Sequence, residues 1–358
     1  MVGVPGTDET LLVTGAAGFI GSHYVRAALE RGCRVVSLDK LSYAADLRRL
    51  GAHRGDPRHA FVEGAIEDRA LVADLLARHR PGAIVHFAAE SHVDRSIDGP
   101  RAFLDANTAG TFTLLQAAHA YWRDLPDGAG KDGFRVLHIS TDEVYGPADG
   151  PPFPEDAPFR PTSPYAASKA AAEHFVSSFS ATYGLPVLIA RPANSFGPWQ
   201  FPEKLIPLTL ARALDGEKLA VYGDGRQERE WLHVGDHCAG VDAVLRHGRP
   251  GRAYNLAGVE SRTNIEVVEA LCRLLDESRP RADGRPYHNQ IAFVADRPGH
   301  DRRYAIDPAR AAAELGWRPA TGFDDGLAAT VDWYLENETW WRDIRATRYA
   351  GERLGVGR

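Results

Sequence analysis

Lysine is scarce in this chain. Only Lys40, Lys131, Lys169, Lys204 and Lys218 stand among 42 basic residues, so arginine is the default cation. Cysteine is limited to Cys33, Cys238 and Cys272, an odd number set far apart. That excludes a disulfide framework and any zinc-type spacing, and no metal is expected. No apolar run reaches the roughly 18 residues of a membrane span. Residues 1–10 carry Asp8 and Glu9 and no apolar stretch, so no signal peptide is expected. The expected compartment is the reducing cytoplasm. Strong basic charge is also missing. A net charge of −6 argues against nucleic acid as the main partner, while local arginine clusters leave anionic small molecules open.

What is present is an ordinary globular composition, 44% hydrophobic and 25% charged over 358 residues. β-rich runs at residues 11–14, 34–38, 60–66, 83–88, 135–140 and 186–190 alternate with helical stretches at 21–31, 68–79, 100–122 and 164–183. Such alternation predicts an α/β fold, a Rossmann-type doubly wound parallel sheet. Beyond residue 191 the alternation weakens and Pro and Gly punctuate the chain. We therefore expect a dinucleotide-binding domain over 1–191 and a smaller, mainly substrate-binding C-terminal domain over 192–358. A later strand near 252–258 is expected to return to the first sheet. Residues 126–133 read as a surface loop.

The first strand runs into Thr14-Gly15-Ala16-Ala17-Gly18-Phe19-Ile20-Gly21. Gly15 permits a tight turn, Gly18 lets backbone approach a pyrophosphate, and Gly21 lets the helix pack on the sheet. The helix N-terminus then faces the phosphates. Asp39 ends the second strand, where a carboxylate binds a ribose diol and repels a 2′-phosphate. NAD is thereby favoured over NADP, although Lys40, Arg48 and Arg49 lie close by. The alternative is that Asp39 only caps a turn.

Tyr165 and Lys169 are four residues apart and share a helix face. A nearby ammonium and a bound nicotinamide would lower the tyrosine pKa and make Tyr165 a base for a sugar hydroxyl. Thr141, Asp142 and Glu143 follow the fifth strand at its C-terminal edge, where open α/β sheets react. Thr141 can bond the reacting oxygen. Two adjacent carboxyls can divide into a base, Glu143, and an acid, Asp142. The competing reading is a solvated acidic turn.

Residues 14–22 (TGAAGFIGS), 86–97 (HFAAESHVDRSI), 140–146 (STDEVYG) and 165–169 (YAASK) resemble the extended short-chain dehydrogenase/reductases. The likeness is strongest to the dTDP-glucose 4,6-dehydratase family. Residues 197–208 (GPWQFPEKLIPL) and 296–307 (DRPGHDRRYAID) resemble its substrate segments. The resemblance implies an NAD-dependent lyase acting in three steps. Tyr165 deprotonates the C4 hydroxyl as hydride leaves. Glu143 then removes the C5 proton while Asp142 protonates the departing C6 hydroxyl. Hydride finally returns to C6.

The resemblance also implies that Phe19, Ile20, Ile66, Ala88 and Ala89 contact the cofactor. It places Ser91, His92, Asn194, Lys204, Leu205, Arg229, Asn264, Arg297 and His300 around the nucleotide sugar. Arginine suits a diphosphate because its fork donates two parallel hydrogen bonds. Arg229 stands between Glu228 and Glu230, so a structural ion pair is an alternative. Arg297, Arg302 and Arg303 have Asp296, Asp301 and Asp307 as neighbours in the chain. His86 and His92 read as site-wall residues. The sequence departs from the family at Ala65, Ser195 and Phe196. A homodimer is implied, with Leu104, Thr111, Leu115 and Ala118 on one helix and Phe175 and Phe179 on another as the contact. Ordinary packing on the sheet is the alternative. Other functions left open are a dehydratase for a UDP-, CDP- or GDP-sugar, a 4-epimerase, and a silent binding protein.

Overall fold

The computed structural model describes residues 9–355. The stretch 1–8, on which most of the absent-signal expectation rests, lies outside them. Strands β1 (Thr10–Thr14), β2 (Arg34–Asp39), β3 (His59–Glu63), β4 (Ala83–His86), β5 (Arg135–Ile139) and β6 (Val187–Pro192) form one sheet with a late arrival, β10 (Ala253–Leu256). The order is β10-β6-β5-β4-β1-β2-β3, and every pairing is parallel. This is the Rossmann-type sheet that the alternation predicts. β10 pairs with β6, so the chain returns to the first sheet where the sequence suggested.

These strands are apolar on both faces. Leu11 and Val13 of β1 join one core cluster, and Leu12 between them joins the other. A strand covered on both sides needs such a continuous apolar run. Helices α1 (Phe19–Glu30) and α9 (Val234–His247) cover one face. Helices α2 (Arg69–His79), α5 (Thr111–Arg123) and α7 (Pro164–Tyr183) cover the other. Short helices α3 (Val93–Asp98), α4 (Pro100–Phe103) and α6 (Ala129–Gly133) lie in connections, so part of the expected 126–133 loop is helical.

The predicted helix over 100–122 is broken. Between α4 and α5 the segment Leu104–Gly110 widens to π geometry. Asn107 there bonds the backbone N–H and C=O of Glu90 and donates to Ser168, while Thr108 donates to the Ser168 carbonyl. Gly110 sits against Ile66, where a Cβ would lie 2.9 Å from its Cδ1. The bulge joins the loop after β4 to α7, which is a common use of π turns near functional sites.

Beyond β6 a second core forms. It gathers α8 (Leu205–Leu214), α10 (Asn264–Ser278), α11 (Phe323–Glu336) and α12 (Glu338–Thr347). Two small sheets accompany it: β7 (Asn194–Phe196) with β9 (Glu228–His233) and β11 (Ser261–Thr263), and β8 (Leu219–Tyr222) with β12 (Ile291–Val294). Among the described residues no helix is long and apolar enough to cross a membrane.

Candidate active site

β1 has β2 on one side and β4 on the other, so the strand order reverses there. A cleft opens at the C-terminal ends of these strands, where such sheets bind ligands. Its floor is the glycine turn. Gly15 has φ +69°, and a Cβ on it would lie 2.6 Å from the Ala88 nitrogen. A Cβ on Gly21 would lie 2.1 Å from the Gly15 carbonyl oxygen. Gly15, Gly18, Phe19, Ile20 and Gly21 all line the cleft.

Asp39 lines it too, beside Lys40. Its carboxylate accepts from Ala17 N at 2.9 Å and from Leu41 N at 2.8 Å, so it does hold a turn. Each oxygen keeps a lone pair for a ribose diol. The feared phosphate-binding arginines are committed elsewhere. Arg48 pairs with Asp46 and Asp343, and Arg49 donates to the carbonyls of Ala17, Ala44 and Trp199. Lys40 lies between Glu67 and Glu90. Ile66, Ala88 and Ala89 complete this end, and Ala65 stands in the wall. Asp68, three residues on, caps α2. A glycine-rich turn, a carboxylate and the wall of Ile66, Ala88 and Ala89 fit a dinucleotide.

The reactive groups face this end from β5 and α7. Thr141 follows β5 and caps a short 3₁₀ turn, Asp142–Tyr145, by accepting from Glu143 N at 3.3 Å. Ser163 caps α7, Pro164 starts it, and Tyr165 follows. A buried Arg191–Glu173 pair ties α7 to β6. Thr141, Asp142, Glu143, Tyr165 and Lys169 all line the same cleft. The acidic turn is buried, which overturns the solvated alternative.

Burial pushes the Asp142 carboxyl up to about 7, and the neighbouring Glu143 adds to the rise. Burial raises Glu143 as well, but Arg229, Arg297 and Lys204 oppose it. The pair is therefore unequal, with the carboxylate favoured on Glu143. Tyr165 differs from the sequence expectation. Burial, Glu143 and Asp142 push its pKa well up, with a hydrogen bond from Thr141 opposing. Lys169 exerts no resolved pull on it. That ammonium, pushed down to about 8 by burial, donates to the Ile139 carbonyl instead.

The substrate candidates divide. Ser91, Asn194 and Lys204 line the cleft. Lys204 donates to the Ser91 carbonyl at 2.9 Å, and Asn194 keeps its buried Oδ1 unpartnered. Arg229, Arg297 and His300 lie outside this lining, although the two guanidinium charges reach Glu143. Arg229 does not pair with Glu228 or Glu230. It donates to the carbonyls of Glu228 and Asp301 and lies 4.2 Å over the Tyr304 ring. Arg297, Arg302 and Arg303 pair with Asp94, Asp224 and Glu228 and not with their chain neighbours. His300 bonds Asp296.

Three candidates do not line the cleft. His92 caps α3 and meets the Glu203 carbonyl. Leu205 packs on the second core, and Asn264 starts α10 with its N–H on the Gln227 carbonyl. His86 is not a wall residue. It bridges Thr14 and Thr111 inside the fold. Phe196 is core packing against Trp231 and Phe323, and Ser195 bonds His237 at 2.7 Å. Sequence reasoning missed Glu203, which holds Tyr43 and Arg95, and Glu230, whose charge reaches Asp142. No local spacing marks either one. Among the described residues no cluster of His, Cys, Asp or Glu is arranged to hold a metal.

The family model for GDP-mannose 4,6 dehydratase matches residues 12–330. A dTDP-glucose 4,6-dehydratase from Xanthomonas campestris pv. campestris (strain B100) is 55% identical over 97% of this chain and 99% of its own. The chain belongs to the dTDP-glucose 4,6-dehydratase family. The enzyme of that name from Neisseria meningitidis serogroup B is 49% identical, again over 97% and 99%. DesIV, the dTDP-glucose 4,6-dehydratase of Streptomyces venezuelae, has been solved with NAD bound. It superposes with a TM-score of 0.85 at 45% identity, covering 94% of this chain and 99% of its own. Family membership gives the cleft its cofactor, NAD.

Proposed function

We propose that the cleft converts dTDP-glucose to dTDP-4-keto-6-deoxyglucose and water. The chain is an NAD-dependent hydro-lyase. The carrying observation is the buried Thr141-Asp142-Glu143 turn in the same cleft as Tyr165. A 4-epimerase needs the tyrosine and lysine but has no use for an acid–base pair.

NAD, when bound, supplies a reversible hydride acceptor. The chain's own residues do the rest. Gly15, Gly18 and Gly21 let backbone approach the pyrophosphate, and Asp39 takes the ribose. Tyr165 receives the C4 hydroxyl proton, with Thr141 beside the same oxygen. The new C4 ketone acidifies C5, so a carboxylate suffices as base. Glu143 removes that proton, and Asp142 protonates the departing C6 hydroxyl. Burial keeps water from the intermediate.

Residues 192–358 mainly hold the substrate in this reading. Lys204, Arg229 and Arg297 converge in charge on Glu143. Together with Asn194 they form the nucleotide-sugar end, and Asn264 and His300 flank it. The second reading, another nucleotide handle, draws on the family model named for GDP-mannose. The relatives favour thymidine.

The active form is a homodimer in the cytoplasm. Leu104 is 50% and Phe175 40% exposed on adjacent elements, where a symmetry mate would cover them. Thr111, Leu115, Ala118 and Phe179 are buried within the subunit and take no part.

A panel of nucleotide sugars tests the assignment. dTDP-glucose should exceed CDP-glucose and GDP-mannose in kcat/KM. UDP-glucose lacks one methyl group, worth about 1–3 kcal/mol, and should be a poor substrate. A higher kcat/KM for CDP-glucose would overturn the assignment. Substrate deuterated at C4 should give product deuterated at C6, with no crossover between molecules. Reduced NAD accumulating once per sugar would make this an ordinary dehydrogenase.

A further inference from the structure

Arg49 is a buried cation whose donors meet only neutral groups among the described residues. It is 1% exposed. Nη1 donates to the Ala17 carbonyl at 2.9 Å and to the Ala44 carbonyl at 2.6 Å, and Nε donates to the Trp199 carbonyl at 3.0 Å. Nη2 has no partner. The guanidinium carbon lies 5.6 Å over the Trp340 ring. The carboxylates whose charge reaches it are Asp46 and Asp39, and Arg348 opposes them. Asp46 is already held by Arg48 and Trp340, and Asp39 by two backbone N–H groups. Burial wins and pushes the guanidinium down to about 10. Carbonyls satisfy its donors but do not neutralise its charge. A charge taken out of water in this way is strongly unfavourable until an opposite charge meets it.

The charge sits at the glycine turn. Ala17 lies within Gly15–Gly21, and Arg49 lines the same cleft. The other cations of the lining are Lys40, Lys169 and Lys204. Lys40 lies between Glu67 and Glu90. Lys169 donates to the Ile139 carbonyl and Lys204 to the Ser91 carbonyl. Arg49 is the one among them that bonds the turn. We propose that Arg49 holds the cofactor's diphosphate: it fixes the glycine turn through the Ala17 carbonyl and supplies the positive charge that the phosphates meet. It is a positioning residue and not a catalytic one. The inference rests on NAD as the cofactor and is independent of the sugar assignment.

The turn needs this help. The N-terminus of α1 offers only about half a positive charge. Its first turn carries no acidic residue that would repel an anion. Each phosphate of the dinucleotide brings a negative charge, and Asp39 already places one beside the ribose end. A whole positive charge fixed in a low-dielectric wall offsets them more strongly than one in water. Nη1 and Nε are committed to carbonyls, so the charge acts through space while the N–H groups of the turn make the hydrogen bonds. The competing role is a clasp. Trp199 packs on the second core, so Arg49 also ties the glycine turn to that core. A clasp alone would alter every ligand of the cleft alike, with or without phosphate.

The experiment compares a ligand that has the diphosphate with one that lacks it. ADP and adenosine are titrated separately against NAD-loaded, full-length protein, and the released NAD is counted. The readout is the ratio of the two competition constants, which does not depend on how tightly NAD itself is held. In the parent ADP should compete far better than adenosine. Arg49→Met should cut that advantage by roughly 10–100-fold. Arg49→Gln is also neutral but keeps two donors for the carbonyls, and it should do the same even where Arg49→Met does not fold. Arg49→Lys restores the charge and should keep most of the advantage. An unchanged ratio in the neutral variants would leave Arg49 a clasp and overturn the proposal. So would a ratio lost equally in Arg49→Lys, or a parent in which ADP has no advantage. No sugar is present, so none of these outcomes bears on the dehydratase reading.

Discussion

Lys169 donates from Nζ to the backbone carbonyl of Ile139 at 2.5 Å, joining the helix that carries Tyr165 to the strand that delivers Thr141, Asp142 and Glu143. The lysine thus sets the spacing of the two halves of the site. Its burial has a measurable consequence. Lys169 is pushed down to about 8 from 10.5, so the folded state holds this proton less tightly than the unfolded one. Stability is reduced below pH 8 and recovers as pH rises toward 10.5. Lys169→Met should therefore lose most activity yet unfold at higher temperature near pH 7. The relief is at most about 3 kcal/mol, less the unpaired Ile139 carbonyl. Equal or lower stability at pH 7 would refute this account of the buried ammonium.

Glu143 is the group on which three cationic side chains converge. Glu143→Gln should still reduce bound NAD when substrate is added, then stall before water loss. Turnover should fall roughly 10²–10⁴-fold. Near-normal product formation by this variant would remove Glu143 as the C5 base.

Asp142 predicts a stability effect of the same kind with the carboxyl sign. The unfolded carboxyl deprotonates near 3.8, the folded one near 7. Raising the pH between those values strips the unfolded chain first, so the folded state loses stability across that window. Above 7 the penalty is complete. Asp142→Asn should match the parent in thermal unfolding below pH 4 and exceed it at pH 8, by at most about 4 kcal/mol. A constant offset across the whole range would mean that Asp142 is not destabilised by burial.

Much of this was legible in the sequence, for identifiable reasons. Strand–helix alternation gives the parallel sheet because each strand must be apolar on both faces, as Leu11, Leu12 and Val13 are. The glycine turn and the Thr141 turn are local, so their neighbours in space are their neighbours in the chain. The partners of Arg229 and Arg297 are not local. Asp94 reaches Arg297 across 203 residues of chain, and Asp301 offers its carbonyl to Arg229 from a late loop. The π segment at Leu104–Gly110 was hidden because its cause lies in partners outside the segment, Ser168 and Glu90. His86 looked like a wall residue because it ends a strand beside the cleft, yet its ring is spent on two threonines.

The exposed pair Leu104 and Phe175 carries the dimer prediction. Phe112 packs edge-on against Phe175 at 5.2 Å and extends the apolar surface between α5 and α7. Phe175→Asp would put a charge in the centre of a symmetric contact, where it meets its own copy. The variant should elute as a monomer by light scattering at concentrations where the parent is a dimer. Because Phe175 is already 40% exposed, its thermal stability as a monomer should change by less than about 1 kcal/mol. A monomeric parent, or an unaltered dimer, would exclude this face.

Gly15 offers the sharpest separation of cofactor binding from folding. Its φ of +69° already disfavours any other residue. The added methyl of Gly15→Ala would also approach Ala88 N to 2.6 Å, Ala88 Cα to 2.8 Å and the Phe87 carbonyl carbon to 2.8 Å. All three are backbone atoms of the segment just after β4, so no side chain can swing aside. The turn must instead move off β4, which displaces the amides that face the pyrophosphate. The expected result is a protein that purifies with little NAD and regains activity only with added cofactor. The backbone strain should lower stability by roughly 1–3 kcal/mol. Bound nicotinamide, counted after denaturation, is the measurement. Full retention of NAD by Gly15→Ala would show that the turn does not cradle the dinucleotide.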